Sequence, residues 1–68
     1  MKDGFGEILK YLRLEKALSQ DELAKQLDIS RSAISFWENN QREPTLSNLV
    51  AIADFFGVSI DYLAGREK

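Results

Sequence analysis

The side chains that could do chemistry in this 68-residue sequence are arginines, carboxylates and hydroxyls, because cysteine and histidine are both absent. Their absence removes thiolate nucleophiles, imidazole bases and the commonest zinc ligands together. The adjacent carboxylates of Asp21 and Glu22 resemble an acid-base pair, but helix capping and pairing with Lys25 account for them. We therefore expect no enzyme, and neither a cofactor nor a metal.

The remaining polar side chains are suited to recognition by hydrogen bonds. The planar guanidinium of Arg31 matches the N7 and O6 acceptors of guanine, whereas the hydroxyls of Ser32 and Ser35 can donate or accept and are weaker readers. A purely structural interpretation is also possible, because Ser30, Arg31 and Ser32 could simply be a helix cap and a solvated first turn. The elements that carry these residues decide between the two.

The first three helices are indicated by apolar spacing and by capping residues. Residues Phe5 to about Lys16 place Phe5, Leu9 and Leu12 on one face of an amphipathic helix. Ser19 and Glu22 form a capping box that begins a second helix at about residues 20–27, with Leu23, Ala24 and Leu27 directed inward. Ser30 is the N-cap of a third helix at about residues 31–39, and Asn39-Asn40 suits a left-handed exit.

Two more helices follow a polar loop. Pro44 and Thr45 begin the fourth, with Thr45 as its cap and Gly57 at its end. Its predicted inner face consists of Leu46, Leu49, Ile52, Ala53 and Phe56. Ser59 caps a short fifth helix with Ile60 and Leu63 buried, and Gly65 ends it. The prediction is an all-α, compact five-helix bundle in which residues 1–68 form one domain and residues 65–68 could begin a linker.

Composition limits the partners of such a bundle. The formal charge of −2, from 9 basic and 11 acidic residues, argues against attachment to nucleic acid by bulk electrostatics. The first residues lack the apolar run of a signal peptide, and no run of about 18 apolar residues occurs. We therefore expect a cytoplasmic protein with no membrane contact.

Two helices joined by a very short turn, the second opening with small polar and basic residues, are typical of a helix-turn-helix. The amino-acid identities in these helices are more specific evidence than the helix pattern. The segments Leu18-Ser-Gln-Asp-Glu-Leu-Ala-Lys-Gln-Leu27, Ile29-Ser-Arg-Ser-Ala-Ile-Ser-Phe-Trp-Glu-Asn39 and Val58-Ser-Ile-Asp-Tyr-Leu63 strongly resemble the Cro/CI-type family, also called the xenobiotic-response-element family. The resemblance spans nearly the whole chain and implies a lambda-repressor-like DNA-binding domain that regulates transcription, expected to act as a repressor.

The resemblance also implies a role for individual positions. Base-edge contacts fall on Arg31, Ser32, Ser35 and, at a position that commonly points at DNA, Phe36. Phosphate contacts fall on Ser19, Gln20, Asn39, Gln41, Arg42 and Thr45. Arg13 and Glu38 match a structural ion pair. Phe36 has two equal interpretations, since its ring could contact thymine methyl groups or fold back onto the protein.

Departures from the family and surplus apolar residues complete the prediction. The family usually has glycine near Asp28 and near Asn40, where Asp and Asn tolerate the left-handed conformation. Val50, Phe55 and Tyr62 lie at the edge of the C-terminal face and suggest a homodimer on a two-fold site in double-stranded DNA. The alternative is an antitoxin-like interaction module that binds a protein partner, with DNA binding secondary.

Overall fold

The computed structural model describes residues 4–66, which form five α-helices. In chain order these are α1 (Phe5–Glu15), α2 (Gln20–Leu27), α3 (Arg31–Glu38), α4 (Leu46–Phe56) and α5 (Ile60–Leu63). The predicted all-α fold of five helices is confirmed. Lys16 and Asn39, expected as the last residues of α1 and α3, are instead the C-cap residues that follow them.

Hydroxyl side chains begin four of these helices, at the positions that the sequence predicts. Each hydroxyl oxygen accepts a hydrogen bond from the backbone amide three residues later, which satisfies one of the amides left without a partner in the first turn. The pairs are Ser19 with Glu22, Ser30 with Ala33, Thr45 with Asn48, and Ser59 with Tyr62. Glu22 completes the capping box by accepting from the Ser19 amide at 2.7 Å.

All five described helices end in the same backbone motif. The chain turns at a left-handed residue, and the next amide donates to the carbonyl five residues earlier, as in a Schellman motif. The left-handed residues are Ala17, Asp28, Asn40, Gly57 and Gly65. The closing bonds run from Leu18 to Arg13, Ile29 to Ala24, Gln41 to Phe36, Val58 to Ala53 and Arg66 to Asp61. Asp28 and Asn40 thus adopt the conformation expected of them.

The core lies where the inner faces of the helices meet. Its largest fully buried side chains are Phe5, Leu9, Leu23, Ile34, Ile52 and Leu63. Two residues expected in the core lie outside it, because Leu46 is 70% exposed and Ile60 is 37% exposed. Each is the first residue of its helix, and a helical side chain leans toward the N-terminus, which here carries it past the end of the packed layer.

The start of α1 lies directly against the end of α3. A Cβ atom on Gly6 would stand 2.5 Å from the carbonyl oxygen of Glu38 and 2.8 Å from that of Trp37. The Gly6 amide donates to Oδ1 of Asn40 at 3.1 Å. Since the N-cap residue Gly4 has no side chain to cap α1, Asn40 supplies the acceptor from the far end of α3.

The C-terminal residues continue the last helix motif. Gly65 and Arg66, expected at the start of a linker, close the α5 C-terminus through amide bonds to Tyr62 and Asp61. Residues 67 and 68 of that expected linker lie outside the described residues, as do residues 1–3.

Within residues 4–66, none of the helices has the length and apolar character needed to span a bilayer.

Candidate nucleic-acid interface

The outer side of α3 carries the residues predicted to contact base edges. Arg31 is the first residue of the helix and its side chain is 65% exposed, and Ser32 beside it is also exposed. The hydroxyls of Ser30 and Ser32 lie 3.2 Å apart, and Ser35 is half-buried one turn further along. The start of α3 therefore presents a guanidinium and a hydroxyl to solvent.

Arg31 has an acidic neighbour, Asp21, that the sequence did not predict. Oδ1 of Asp21, expected to pair with Lys25, lies 3.7 Å from Nε of Arg31. The two side chains are 65% and 70% exposed, so water screens their attraction. Only the packing of α2 against α3 brings Asp21 to Arg31, because the two residues are ten positions apart in the sequence.

Arg13 and Glu38 form a buried, bidentate ion pair beneath this surface. Nε of Arg13 donates to Oε2 of Glu38 at 2.6 Å, and Nη2 donates to Oε1 at 2.9 Å. Nη1 of Arg13 donates to the carbonyl of Leu18 at 2.8 Å. The two side chains are 9% and 4% exposed, and the hydrogen bond to Glu38 raises the pKa of Arg13. The pair joins α1, the α1–α2 connection and the end of α3.

The same carboxylate holds the first residue of α2. Nε2 of Gln20 donates to Oε1 of Glu38 at 3.1 Å. This hydrogen bond uses one amide proton of Gln20 and involves neither the second proton nor the amide oxygen. The backbone amides of the first turn of α2 lie beside it, with Ser19 as the cap. A partly positive helix end and a restrained amide side chain are suited to a phosphate group.

The loop after α3 returns over the helix that it leaves. The Gln41 amide donates to the carbonyl of Phe36 at 2.8 Å, and Cζ of Arg42 lies 4.6 Å from the centroid of the Phe36 ring. Phe36 is half-buried, so its side chain is folded against the protein rather than extended away from it. In the free chain the ring of Phe36 thus packs against the protein, and its contact with thymine methyl groups stays a prediction.

A shallow groove separates the start of α3 from the start of α4. Its volume is about 230 Å³, and its lining includes Ser30, Ser32, Phe36, Arg42, Thr45 and Asn48. The predicted backbone-contact residues Asn39 and Gln41 are exposed but are not among the residues that line this groove, and Asn39 Nδ2 lies 3.5 Å from Ser35 Oγ. Asn48 was missed by the sequence analysis, because an asparagine in the first turn of a helix gives no distinctive signal.

The three residues expected at a dimer contact are not alike. Val50 is 42% exposed on α4, but Phe55 is half-buried, with its ring 5.0 Å from that of Phe56 and beneath Nζ of Lys16 at 5.7 Å. Tyr62 is half-buried and lines a second groove together with Tyr11. Five positions separate Val50 from Phe55, which places them about 140° apart around the helix. The structure does not bring the three residues to one face.

Within residues 4–66 no group of three or more His, Cys, Asp or Glu side chains is arranged to hold a metal ion.

Known proteins share this arrangement. The family described as helix-turn-helix matches residues 9–63. The transcriptional activator BcrR of Enterococcus faecalis is 45% identical over 64 residues, which are 94% of this chain and 31% of that protein. The immunity repressor of Bacillus phage phi105 is 34% identical over 62 residues, which are 91% of this chain and 43% of that protein. The chain thus spans less than two thirds of both relatives.

A solved structure matches over almost the whole of both chains. The P22 c2 repressor in complex with a synthetic operator superimposes with a TM-score of 0.86 at 33% identity, covering 93% of this chain and 96% of that one. The family match extends over most of the chain, and the caps, the ion pair and the α2–α3 pair form one coherent fold. The chain belongs to the helix-turn-helix family, in its Cro/CI type.

Proposed function

We propose that this chain is the DNA-binding domain of a transcriptional repressor that inserts α3 into the major groove of a two-fold operator. The observation that carries the proposal is the exposed start of α3, with Arg31 and Ser32 outermost, on a helix whose other end is bonded through Glu38 to Arg13 of α1 and to Gln20 at the start of α2. The similarity to the P22 c2 repressor, solved with an operator, supports it.

The residues divide into those that position and those that specify. Ser19, Gln20 and the first amides of α2 hold one phosphate and fix the depth of α3, while Asn39, Gln41, Arg42 and Thr45 follow the backbone beyond it. Arg31 donates two hydrogen bonds to a guanine, and Ser32 and Ser35 add weaker contacts to base edges. Phosphate contacts carry no sequence information, so discrimination rests mainly on Arg31.

The partner in this proposal is double-stranded DNA, bound by a homodimer in the cytoplasm, where bacterial and phage genomes are read. A two-fold operator presents two half-sites about one helical turn apart, and each protomer places its own α3 in one of them. No cofactor takes part, and residues 1–68 act as one domain.

Selection from a random duplex library tests the proposal. We expect enrichment of an inverted repeat whose half-sites contain a guanine that Arg31 reads. Arg31→Ala should weaken binding to the selected site by about 1–3 kcal/mol and relax the preference at that base pair, whereas Gln20→Ala should weaken all sequences alike.

Arg66→Ala is the matched control for loss of one positive charge, since Arg66 closes α5 away from the α2–α3 pair. Its selected sequence should equal that of the parent chain. A library that yields no enriched sequence with the parent would refute the proposed function.

A further inference from the structure

The loop after α3 and the ring of Phe36 form a unit that the sequence does not suggest. The left-handed residue Asn40 reverses the chain, and the Gln41 amide is bonded to the Phe36 carbonyl, so the following residue returns to the side of Phe36. Arg42 arrives there with Cζ only 4.6 Å from the ring centroid. The contact is thus set by the backbone of the helix end as well as by attraction between the two side chains.

A guanidinium that stacks on a ring keeps its hydrogen-bond donors. The donors of arginine lie in the plane of the group and point outward from its edge, so a ring beneath one face uses none of them. The stack also restricts a long side chain that would otherwise lose its freedom only on binding. Arg42 therefore keeps donors that can reach an acceptor at the groove.

The surroundings of Arg42 indicate which acceptor that is. The groove that it lines also contains the hydroxyl-bearing residues Ser30, Ser32 and Thr45, the amide of Asn48 and the carboxylate of Glu43. These donors lie between the starts of α3 and α4, next to the proposed base-reading residues. A guanidinium beside several hydroxyl and amide donors fits an oxyanion such as a DNA phosphate, which must compete with the carboxylate of Glu43 for Arg42.

We propose that Phe36 is a positioning residue, whose ring holds the guanidinium of Arg42 at the groove so that Arg42 contacts a phosphate of the DNA backbone. The inference rests on the proposed function. It assigns to Phe36 a role in affinity for all sequences, and it removes Phe36 from the set of residues that read bases. It also couples α3 to the contact that Arg42, in the loop after α3, makes with the DNA backbone.

The stack is tested first in the free protein by NMR. Ring current from Phe36 should shift the Arg42 side-chain protons upfield. The shift should persist in Phe36→Tyr, which keeps the ring, and vanish in Phe36→Leu, which keeps an apolar side chain of similar reach. Circular dichroism of the three proteins establishes that the helices are retained. Absence of the shift in the parent chain would overturn the inference whether or not the protein binds DNA.

A double-mutant cycle on a short mixed-sequence duplex at low salt tests the consequence. Arg42→Ala should lower the slope of log affinity against log salt by about 1. Phe36→Leu should weaken binding by about two- to fivefold in the parent chain, from the loss of a cation–π contact, and should have no effect in the Arg42→Ala background. Phe36→Tyr should restore the parent affinity.

Lys16→Ala is the matched control, because it removes one positive charge and one cation–π contact, with Phe55, outside the groove. It should leave the affinity and the effect of Phe36→Leu unchanged. Equal losses for Phe36→Leu in both Arg42 backgrounds would overturn the inference.

Replacement of thymidine by deoxyuridine in the selected operator tests separately whether Phe36 reads a base. If Phe36 reads a thymine methyl group, this replacement weakens the parent chain but not Phe36→Leu, and the positioning role is wrong. A parent chain that shows the ring-current shift but binds neither duplex would refute the proposed function while leaving the stack intact. The two failures are therefore distinguishable.

Discussion

Glu38 is the residue on which the geometry of the interface depends most. One carboxylate accepts two hydrogen bonds from Arg13 and one from Gln20, and it lies at the last position of the helix proposed to read DNA. A displacement of the end of α3 from α1 or from the start of α2 therefore breaks hydrogen bonds to a carboxylate that is only 4% exposed. Such bonds fix geometry even where the net stability that they contribute is small.

Removal of either partner of this ion pair should destabilise the fold. Arg13→Ala and Glu38→Ala each leave an uncompensated buried charge, at a cost of about 3–5 kcal/mol. The double variant should cost less than the sum of the two, because it leaves neither charge behind. Denaturant melts measure the three differences, and Glu15→Ala, which removes an exposed carboxylate from α1, should cost no more than about 0.5 kcal/mol. Strict additivity of the Arg13 and Glu38 effects would show that the pair contributes no coupling.

Asp21 should weaken DNA binding in the parent chain. Its carboxylate lies 3.7 Å from the guanidinium of Arg31, at the start of a helix proposed to hold a phosphate, so it competes for Arg31 and repels the DNA backbone. Asp21→Asn should therefore raise affinity by about two- to fivefold at low salt and less at high salt. Asp54→Asn makes the same change of charge on the exposed side of α4. An equal gain from Asp54→Asn would reduce the effect to net charge alone.

At the scale of the helices, the ends are governed by one repeated motif with different residues in it. Glycine occupies the left-handed position after α4 and α5, but Ala17, Asp28 and Asn40 occupy it after the other three. Asn40 has a compensating function, since its side chain caps the start of α1. Ala17 has a Cβ that disfavours this conformation and no polar side chain to offset the cost.

Ala17→Gly should consequently stabilise the fold by about 1 kcal/mol. The opposite sign is expected for Ala51→Gly, an exposed position inside α4, where glycine costs about 1 kcal/mol in a helix. Thermal and denaturant unfolding of the two variants give both values. Destabilisation by both substitutions would mean that the left-handed conformation of Ala17 is not strained.

Gly6 should be intolerant of any side chain. A Cβ at this position would approach three oxygen atoms at 2.5–2.8 Å, two of them backbone carbonyls that cannot move without shifting the end of α3. We expect Gly6→Ala to cost about 1–3 kcal/mol, as overpacking does. Gly4→Ala is the control, because its Cβ would meet neighbouring atoms only at 3.8 and 3.9 Å. Equal stability of both variants would contradict the close approach of α1 and α3.

The sequence predicts helix starts better than helix contacts, for a physical reason. Ser19, Ser30, Thr45 and Ser59 act through bonds to their own first turns, so local spacing identifies them. The outward position of Leu46, the approach of Asp21 to Arg31 and the stack of Arg42 on Phe36 depend on where another element lies. The close contact at Gly6 was predictable from the sequence, since a glycine inside an amphipathic helix often marks a close approach to another element.

For the whole molecule, the small number of available cations limits how tightly one copy can hold DNA. Arg13 is bonded to Glu38 and Lys16 lies over Phe55, while the proposed interface contains Arg31 and Arg42. Because Arg31 is proposed to bind a guanine, Arg42 is the one of these two that neutralises a phosphate, which gives a slope of about −1 in log affinity against log salt and corresponds to weak binding. A second copy on the same duplex doubles the contacts and makes the second half-site effectively intramolecular.

Val50 is the best position at which to test this second copy. It is 42% exposed, and Leu46, four residues earlier and 70% exposed, shares its side of α4, whereas Phe55 and Tyr62 are already packed against the protein. Val50→Lys should leave the helices intact and the affinity for a single half-site nearly unchanged. It should remove an advantage of about 100-fold that the parent chain gains on paired half-sites.

Ala51→Lys is the matched control, because it adds the same charge at the neighbouring exposed position of α4. Titration of the parent chain and both variants against single and paired half-sites, together with sedimentation of the free proteins, provides the comparison. Loss of the paired-site advantage in Val50→Lys alone would locate the contact on this side of α4, since a general effect of charge would appear in both variants. If the parent chain sediments as a monomer and gains nothing from the paired site, the homodimer prediction is wrong, and the two-fold operator would have to be read with a protein partner.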